Sequence, residues 1–173
     1  MADEPDAIAQ SLPPDDSADS LEANWRRMVD QSTRTPVVGF VVSATVWLLI
    51  GSILALLASF KFQFPDWLVD QAWLTFGRVR PAHLNTMIYG WISMVGVGIS
   101  TWLWARLLKT RLQGRWLMIA SLVLWNIGMV IGTIGILAGY SRAIEWVEMP
   151  YAAFAFIVPA MLLVVASFIL TLQ

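Results

Sequence analysis

Cysteine is absent from this sequence of 173 residues, and only 13% of the residues are charged. Without cysteine the chain has no disulfide framework, no thiol nucleophile and no thiolate metal site. Soluble domains carry about a quarter charged residues, whereas 58% of this chain is hydrophobic. The composition therefore excludes a soluble globular domain and predicts membrane lipid as the surroundings. It predicts no nucleic-acid partner.

Acidic residues are concentrated ahead of the apolar part of the chain, with eight of the twelve in the first 30 residues. Acids and prolines leave residues 1–20 little to bury. We therefore expect an acidic, disordered or interfacial cytoplasmic segment at residues 1–35 and a transmembrane domain at residues 36–173. Residues 20–31 fit either a short helix lying on the membrane or a solvated linker. A signal peptide is disfavoured because the first apolar run is long and follows the acidic stretch.

Four segments contain no Asp, Glu, Lys or Arg, and each is longer than the roughly 20 residues that cross a bilayer. They are residues 37–60, 84–105, 116–140 and 151–172. The predicted fold class is an all-α integral membrane protein with four transmembrane helices. In the third segment, glycines recur at intervals of four, three and four, which is typical of closely packed membrane helices; they are Gly128, Gly132, Gly135 and Gly139.

Basic residues divide unequally between the two predicted sides of the membrane. Seven lie before the first span or between the second and third spans, and four lie on the opposite side. Cytoplasmic loops carry an excess of Lys and Arg. The count therefore predicts a multi-pass protein whose N-terminus and C-terminus are both cytoplasmic.

The single histidine, His83, lies at the start of the second span. A histidine is costly to leave without a partner in hydrocarbon, and neutral imidazole is a common ligand of haem iron. Met87 and Gly90 follow at four and seven residues, on the same helical face, where they would let a flat ring pack closely. Arg78 and Arg80 come just before and would pair with anionic propionates.

Each of these residues also has an ordinary explanation. A lone histidine near a membrane interface is often hydrogen-bonded inside the protein or directed to the headgroups. Arginines beside a span commonly anchor it at the interface, and glycines commonly pack helices. From the residues alone, both interpretations stay open.

Residues 73–85 contain Phe-Gly-Arg-Val-Arg-Pro-Ala-His-Leu-Asn. This segment resembles the start of the second helix in the catalytic subunit of cbb3-type cytochrome c oxidases, in the haem-copper oxidase superfamily. The resemblance includes residues 34–36, 58–61 and 139–150 and extends over most of residues 34–173. It implies the N-terminal part of that subunit's helical bundle.

The resemblance implies that His83 is an axial ligand of low-spin haem b and that Arg78 and Arg80 lie at its propionates. It also implies that one carboxylate of a Glu-x-x-Glu segment helps to hold calcium there. Glu145 is the first candidate and Glu148 the second, although the residues alone suggest two exposed loop acids. No catalytic residue is expected in this chain.

A complete subunit of that family carries further histidines for the second axial position of haem b, for a high-spin haem and for copper. One histidine cannot supply these ligands, so the high-spin haem and copper are expected only in the complete enzyme. We therefore expect a truncated fragment, a frameshifted product or a split subunit completed by another chain.

Two functions remain open from the sequence. In the first, the chain is part of an oxidase of the bacterial inner membrane that carries electrons from cytochrome c toward oxygen in aerobic respiration. Its partners would be the remainder of subunit I and the cytochrome c-bearing subunits. In the second, it is a membrane anchor, an assembly subunit or a remnant without a cofactor or enzymatic activity.

Overall fold

The computed structural model describes residues 16–173, and every regular element in that range is helical. The principal helices are α1 (Asp16–Gln63), α2 (Phe76–Leu107), α3 (Arg115–Ala138) and α4 (Tyr151–Leu172). All four are long and apolar enough to cross a membrane. The predicted all-α membrane fold class is confirmed. Of the acidic segment expected at residues 1–35, residues 1–15 fall outside the described residues, and the remainder is helical.

Helix α1 is longer than the span that the sequence predicts. It runs for 48 residues, about 72 Å at 1.5 Å per residue, against a hydrocarbon core of about 30 Å. Residues 20–31 form its first turns and are not a separate helix. The extension is held by neighbouring segments, since Leu112 N–H donates to Ser32 Oγ at 3.1 Å and Trp102 Nε1 donates to Asp30 Oδ1 at 3.0 Å.

The ends of the other helices can be compared with the ends that the apolar segments predict. Helix α2 begins eight residues before the predicted span, because the polar segment Phe76–Asn85 is already helical. Helix α3 ends at Ala138, since Gly139 takes a left-handed conformation with φ 98°. Glycine adopts that conformation without steric cost. Helix α4 matches the predicted 151–172 segment and continues through Pro159.

Helix α1 packs along α2, and α3 packs along α4 and also contacts α1 and α2. The glycine stripe of α3 is closely packed. A Cβ added to Gly128 would lie 2.6 Å from Ile157 Cγ1 of α4, and one added to Gly132 would lie 2.4 Å from Met149 Sδ. The close helix packing predicted from the glycine spacing is therefore seen at Gly128, whereas Gly132 and Gly135 pack against Met149 and Pro150 of the segment that leads into α4.

The two ends of the bundle carry different loops. At one end, loop 108–114 contacts both α1 and α4, with Gln113 N–H donating to Thr171 Oγ1 at 3.1 Å. At the other end, the segment 64–75 leads into α2 and the segment 139–150 leads into α4. These are called the 108–114 end and the 139–150 end below. The residues that the sequence singled out all lie toward the 139–150 end.

Candidate functional site

His83 lies near the start of α2 and is partly buried against α1. Its Nδ1 is 2.8 Å from the backbone carbonyl oxygen of Gly51. A carbonyl oxygen only accepts hydrogen bonds, so Nδ1 carries the proton and donates it. In the neutral ring, Nε2 is then the nitrogen with a free lone pair. Helix α1 therefore fixes both the tautomer and the orientation of this imidazole.

Gly51 allows the two helices to approach at this point. A Cβ at this position would lie 2.8 Å from Met87 Sδ and 3.5 Å from Thr86 Cγ2. The Met87 side chain thus lies over Gly51, one turn beyond His83. The sequence analysis did not identify Gly51, and its only sequence signal is a glycine inside an apolar span.

The helix changes geometry immediately beyond His83. Residues Thr86–Ile92 form a π-helix, a rare form that occurs most often at functional sites. Within it Gly90 is buried, and a Cβ there would lie 2.8 Å from Trp47 Cβ and 3.0 Å from Met129 Cε. Gly90 therefore contacts α1 and α3, with Trp47 packed directly against it, and its haem-packing role stays a prediction.

The two arginines before His83 have different partners. Arg78 Nη1 donates to the carbonyl oxygen of Leu137 at 3.1 Å, and its guanidinium covers Gly139. Arg78 thereby satisfies a carbonyl at the end of α3, where backbone acceptors lack helical partners. Arg80 is exposed and lies 3.9 Å from Glu145, between Nη2 and Oε1.

The two glutamates of the segment 139–150 differ in how far they are exposed to solvent. The Glu145 side chain is 66% exposed, whereas Glu148 is only 9% exposed. Glu148 Oε2 accepts a hydrogen bond of 2.5 Å from Asn85 Nδ2. Within residues 16–173, no group of three or more His, Cys, Asp or Glu residues could hold a metal ion. These residues do not assemble a calcium site by themselves.

Asn85 is a second residue whose role the sequence did not predict. It is fully buried, and Nδ2 also donates to the Pro81 carbonyl oxygen at 2.9 Å. Its Oδ1 is buried and has no hydrogen-bond partner among the described residues. The sequence signal is its place two residues after His83, inside the polar motif. Its partner Glu148 is 63 residues away along the chain, so local patterns could not reveal the pair.

Comparison with known proteins identifies a family for most of the chain. The family model for Cytochrome C and Quinol oxidase polypeptide I matches residues 35–173. A cytochrome c oxidase subunit 1 homolog of Azorhizobium caulinodans is 26% identical over 116 residues, covering 65% of this chain and 20% of that protein. The cbb3-type cytochrome c oxidase subunit CcoN1 of Stutzerimonas stutzeri is 23% identical over 112 residues, covering 65% of this chain and 24% of that protein.

The chain thus spans about a fifth to a quarter of the length of these relatives. The family model nevertheless covers well over half of the chain itself, including all of α2, α3 and α4. The resemblance inferred from residues 73–85 is confirmed at the level of the family. This chain belongs to the cytochrome c and quinol oxidase polypeptide I family, whose members bind haem.

Proposed function

We propose that this chain is the N-terminal part of the haem-binding subunit I of a cbb3-type cytochrome c oxidase, and that His83 is an axial ligand of its low-spin haem b. The hydrogen bond from Nδ1 to Gly51 carries the proposal. Histidines that bind metals almost always donate their other ring N–H to a carbonyl or carboxylate, which orients the ring and raises its basicity. His83 has this arrangement.

A bound low-spin haem would supply one-electron transfer, and the residues around His83 would hold it. Met87 lies beside the imidazole and has a flexible side chain that adapts to irregular surfaces. Arg80 precedes His83 by three residues, so the two share one face of the helix. Its exposed guanidinium is suited to pairing with a propionate. Arg78 gives one N–H to Leu137 and retains further donors.

The remaining ligands lie outside these residues. The second axial ligand, the high-spin haem and copper would come with the remainder of subunit I, and electrons from cytochrome c would arrive through the cytochrome c-bearing subunits. Reduction of oxygen in aerobic respiration belongs to that assembled enzyme. Calcium near Glu145 would need ligands from outside this chain as well.

The membrane orientation is part of the proposal. The excess of basic residues at the 108–114 end favours a cytoplasmic location for that end and for the N-terminus. In the bacterial inner membrane, His83 would then lie toward the periplasmic surface. That is the side on which a soluble cytochrome c delivers electrons.

The test is a difference spectrum of the purified membrane protein after reconstitution with haem b in the absence of free imidazole, with unbound haem removed. We expect a b-type band in the wild-type chain and its loss in His83→Ala. In His83→Gly, high concentrations of imidazole should restore the band by occupying the space of the missing ring. Arg142→Gln is a control at the same end of the bundle, where Arg142 stacks on the Tyr151 ring at 3.9 Å.

Circular dichroism establishes that each variant retains its helices. A folded wild-type chain without a haem band would contradict the proposal for this chain. It would favour the alternative, a membrane protein that acts as an anchor, an assembly subunit or a remnant without a cofactor. Equal bands in wild type and His83→Ala would show that haem binds elsewhere.

A further inference from the structure

A second polar site lies at the 108–114 end, far along the chain from His83. It is a groove of about 490 Å³ between the extension of α1 and the start of α3. Three arginines line it: Arg27 from α1, Arg111 from loop 108–114 and Arg115 from the first turn of α3. Segments distant in sequence thus bring three guanidinium groups to one groove.

The carboxylates of residues 19–173 do not neutralise the positive charge in this groove. Among residues 19–173, Glu22 pairs with Arg26, and Asp30 pairs with Arg106. No ion pair in this range involves an arginine of the groove. Three cations that share a groove repel one another, so an anion bound there would be favoured.

The hydrogen bonds of the three arginines leave most of their donors free. Arg27 donates from Nη2 to Asn24 Oδ1 at 2.9 Å and from Nε to the Ala23 carbonyl oxygen at 3.3 Å. Arg115 Nη2 donates to Thr35 Oγ1 at 2.5 Å. Arg111 makes no hydrogen bond or ion pair with the part of the chain that the structure describes. Each guanidinium has five N–H donors in a planar fork, which matches the oxygens of a phosphate group.

A second groove of about 590 Å³ lies along the membrane part of α1. Arg34 and Thr35 line one end of it, and Val38, Gly39 and Val42 line the apolar remainder. Thr35 links the two grooves, because it lines the second and accepts a hydrogen bond from Arg115, which lines the first. Thr35 and Val42 are two turns apart on one helical face, about 10 Å, which fits within the roughly 15 Å of one leaflet of the hydrocarbon core.

We propose that these two grooves bind one anionic phospholipid, with its phosphate between Arg27, Arg111 and Arg115 and an acyl chain along Val38, Gly39 and Val42. Basic pockets between membrane helices bind anionic lipid headgroups elsewhere. The apolar groove favours a lipid over a free phosphate ion, because phosphate alone leaves that surface uncovered. This proposal goes beyond the proposed oxidase function and does not depend on haem binding.

Native mass spectrometry of the full chain in detergent tests the proposal, with dioleoylphosphatidylglycerol, dioleoylphosphatidylcholine and inorganic phosphate as probes. Basic residues near a membrane surface contribute roughly 1 kcal/mol each to attraction for anionic lipid, which is about fivefold in affinity. We expect Arg27→Gln and Arg111→Gln each to weaken binding of phosphatidylglycerol about fivefold. Phosphatidylcholine binding should stay weak and unchanged.

Arg26→Gln is the matched control, because Arg26 adjoins Arg27 and loses the same charge but pairs with Glu22 and does not line the groove. An equal loss in Arg26→Gln would show diffuse attraction and overturn the site. Inorganic phosphate that displaces the lipid at similar concentrations would overturn the choice of a lipid. If a glutamine variant loses helicity by circular dichroism, Arg27→Lys and Arg111→Lys decide. They keep the charge but lose the planar fork, so each should weaken phosphatidylglycerol binding by less than about fivefold, and unchanged binding in both would overturn the site.

Discussion

Replacing Asn85 with alanine is expected to destabilise the folded chain by about 2–3 kcal/mol. The amide donates a hydrogen bond of 2.5 Å to Glu148, which is only 9% exposed. Hydrogen bonds to charged groups contribute about 1.5–3 kcal/mol, and a buried acceptor left without its donor adds a desolvation cost. The pair joins α2 to the segment before α4.

Glu148→Gln should cost less than about 1 kcal/mol, in contrast to Glu148→Ala. The glutamine carbonyl can accept the same bond from Asn85, and its new NH₂ group can donate to Asn85 Oδ1. That oxygen is buried and has no partner among the residues described. Satisfying it offsets the loss of the carboxylate, because a buried acceptor without a donor costs about 1–3 kcal/mol.

The assay is unfolding of the chain in mixed micelles as the fraction of sodium dodecyl sulfate rises, followed by circular dichroism. The double variant Asn85→Ala/Glu148→Ala should cost about 1.5 kcal/mol less than the sum of the single variants, since contacting residues couple by about 0.5–3 kcal/mol. Glu145→Ala is the matched control on the same loop and should change stability by less than about 0.5 kcal/mol. Additive losses, or equal losses for Glu148→Gln and Glu148→Ala, would refute this account.

Two further predictions use the same assay. Gly128→Leu should lower the free energy of unfolding by about 1–3 kcal/mol, the usual cost of overpacking, because its Cβ would lie 2.6 Å from Ile157 Cγ1. Gly96→Leu is the control and should be nearly neutral, since a Cβ there meets no atom within 4 Å. Trp47→Phe should cost about 1 kcal/mol, because it removes a hydrogen bond of 2.9 Å from Nε1 to Asn126 Oδ1, within the range measured for bonds between membrane helices. A neutral Gly128→Leu or a neutral Trp47→Phe would contradict the packing described.

The number and type of helices could be predicted because charge is excluded from the hydrocarbon core. Helix ends depend on local hydrogen bonds and backbone conformation, so the apolar pattern predicts them less well. Helix α1 extends well before residue 37, since a helix continues wherever its backbone and side chains find partners, as Ser32 does with Leu112. Helix α3 ends where Gly139 turns left-handed, although residue 140 is still apolar enough to be counted in the span.

The candidate site could be predicted only in part, for a physical reason. His83 stood out because a lone histidine in an apolar segment is conspicuous in any sequence. Its partner Gly51 acts through a backbone carbonyl, which no side-chain pattern identifies. The haem-packing role predicted for Gly90 rests on the register of a regular α-helix and stays a prediction. The π-helix at Thr86–Ile92 shifts the faces of α2, and Gly90 then meets Trp47.

Two segments outside α2 determine the environment of the proposed ligand. From α1, the Gly51 carbonyl fixes which nitrogen of His83 is protonated. From the segment before α4, Glu148 holds Asn85 two residues farther along the same helix. Both contacts lie within residues 16–173, so orienting the imidazole does not require the rest of a larger subunit. Under the proposed function, completing the coordination of a haem iron would require it, because a single histidine would supply one axial ligand. The proposal therefore separates two requirements of a haem site: this chain would position one axial ligand before the second is present.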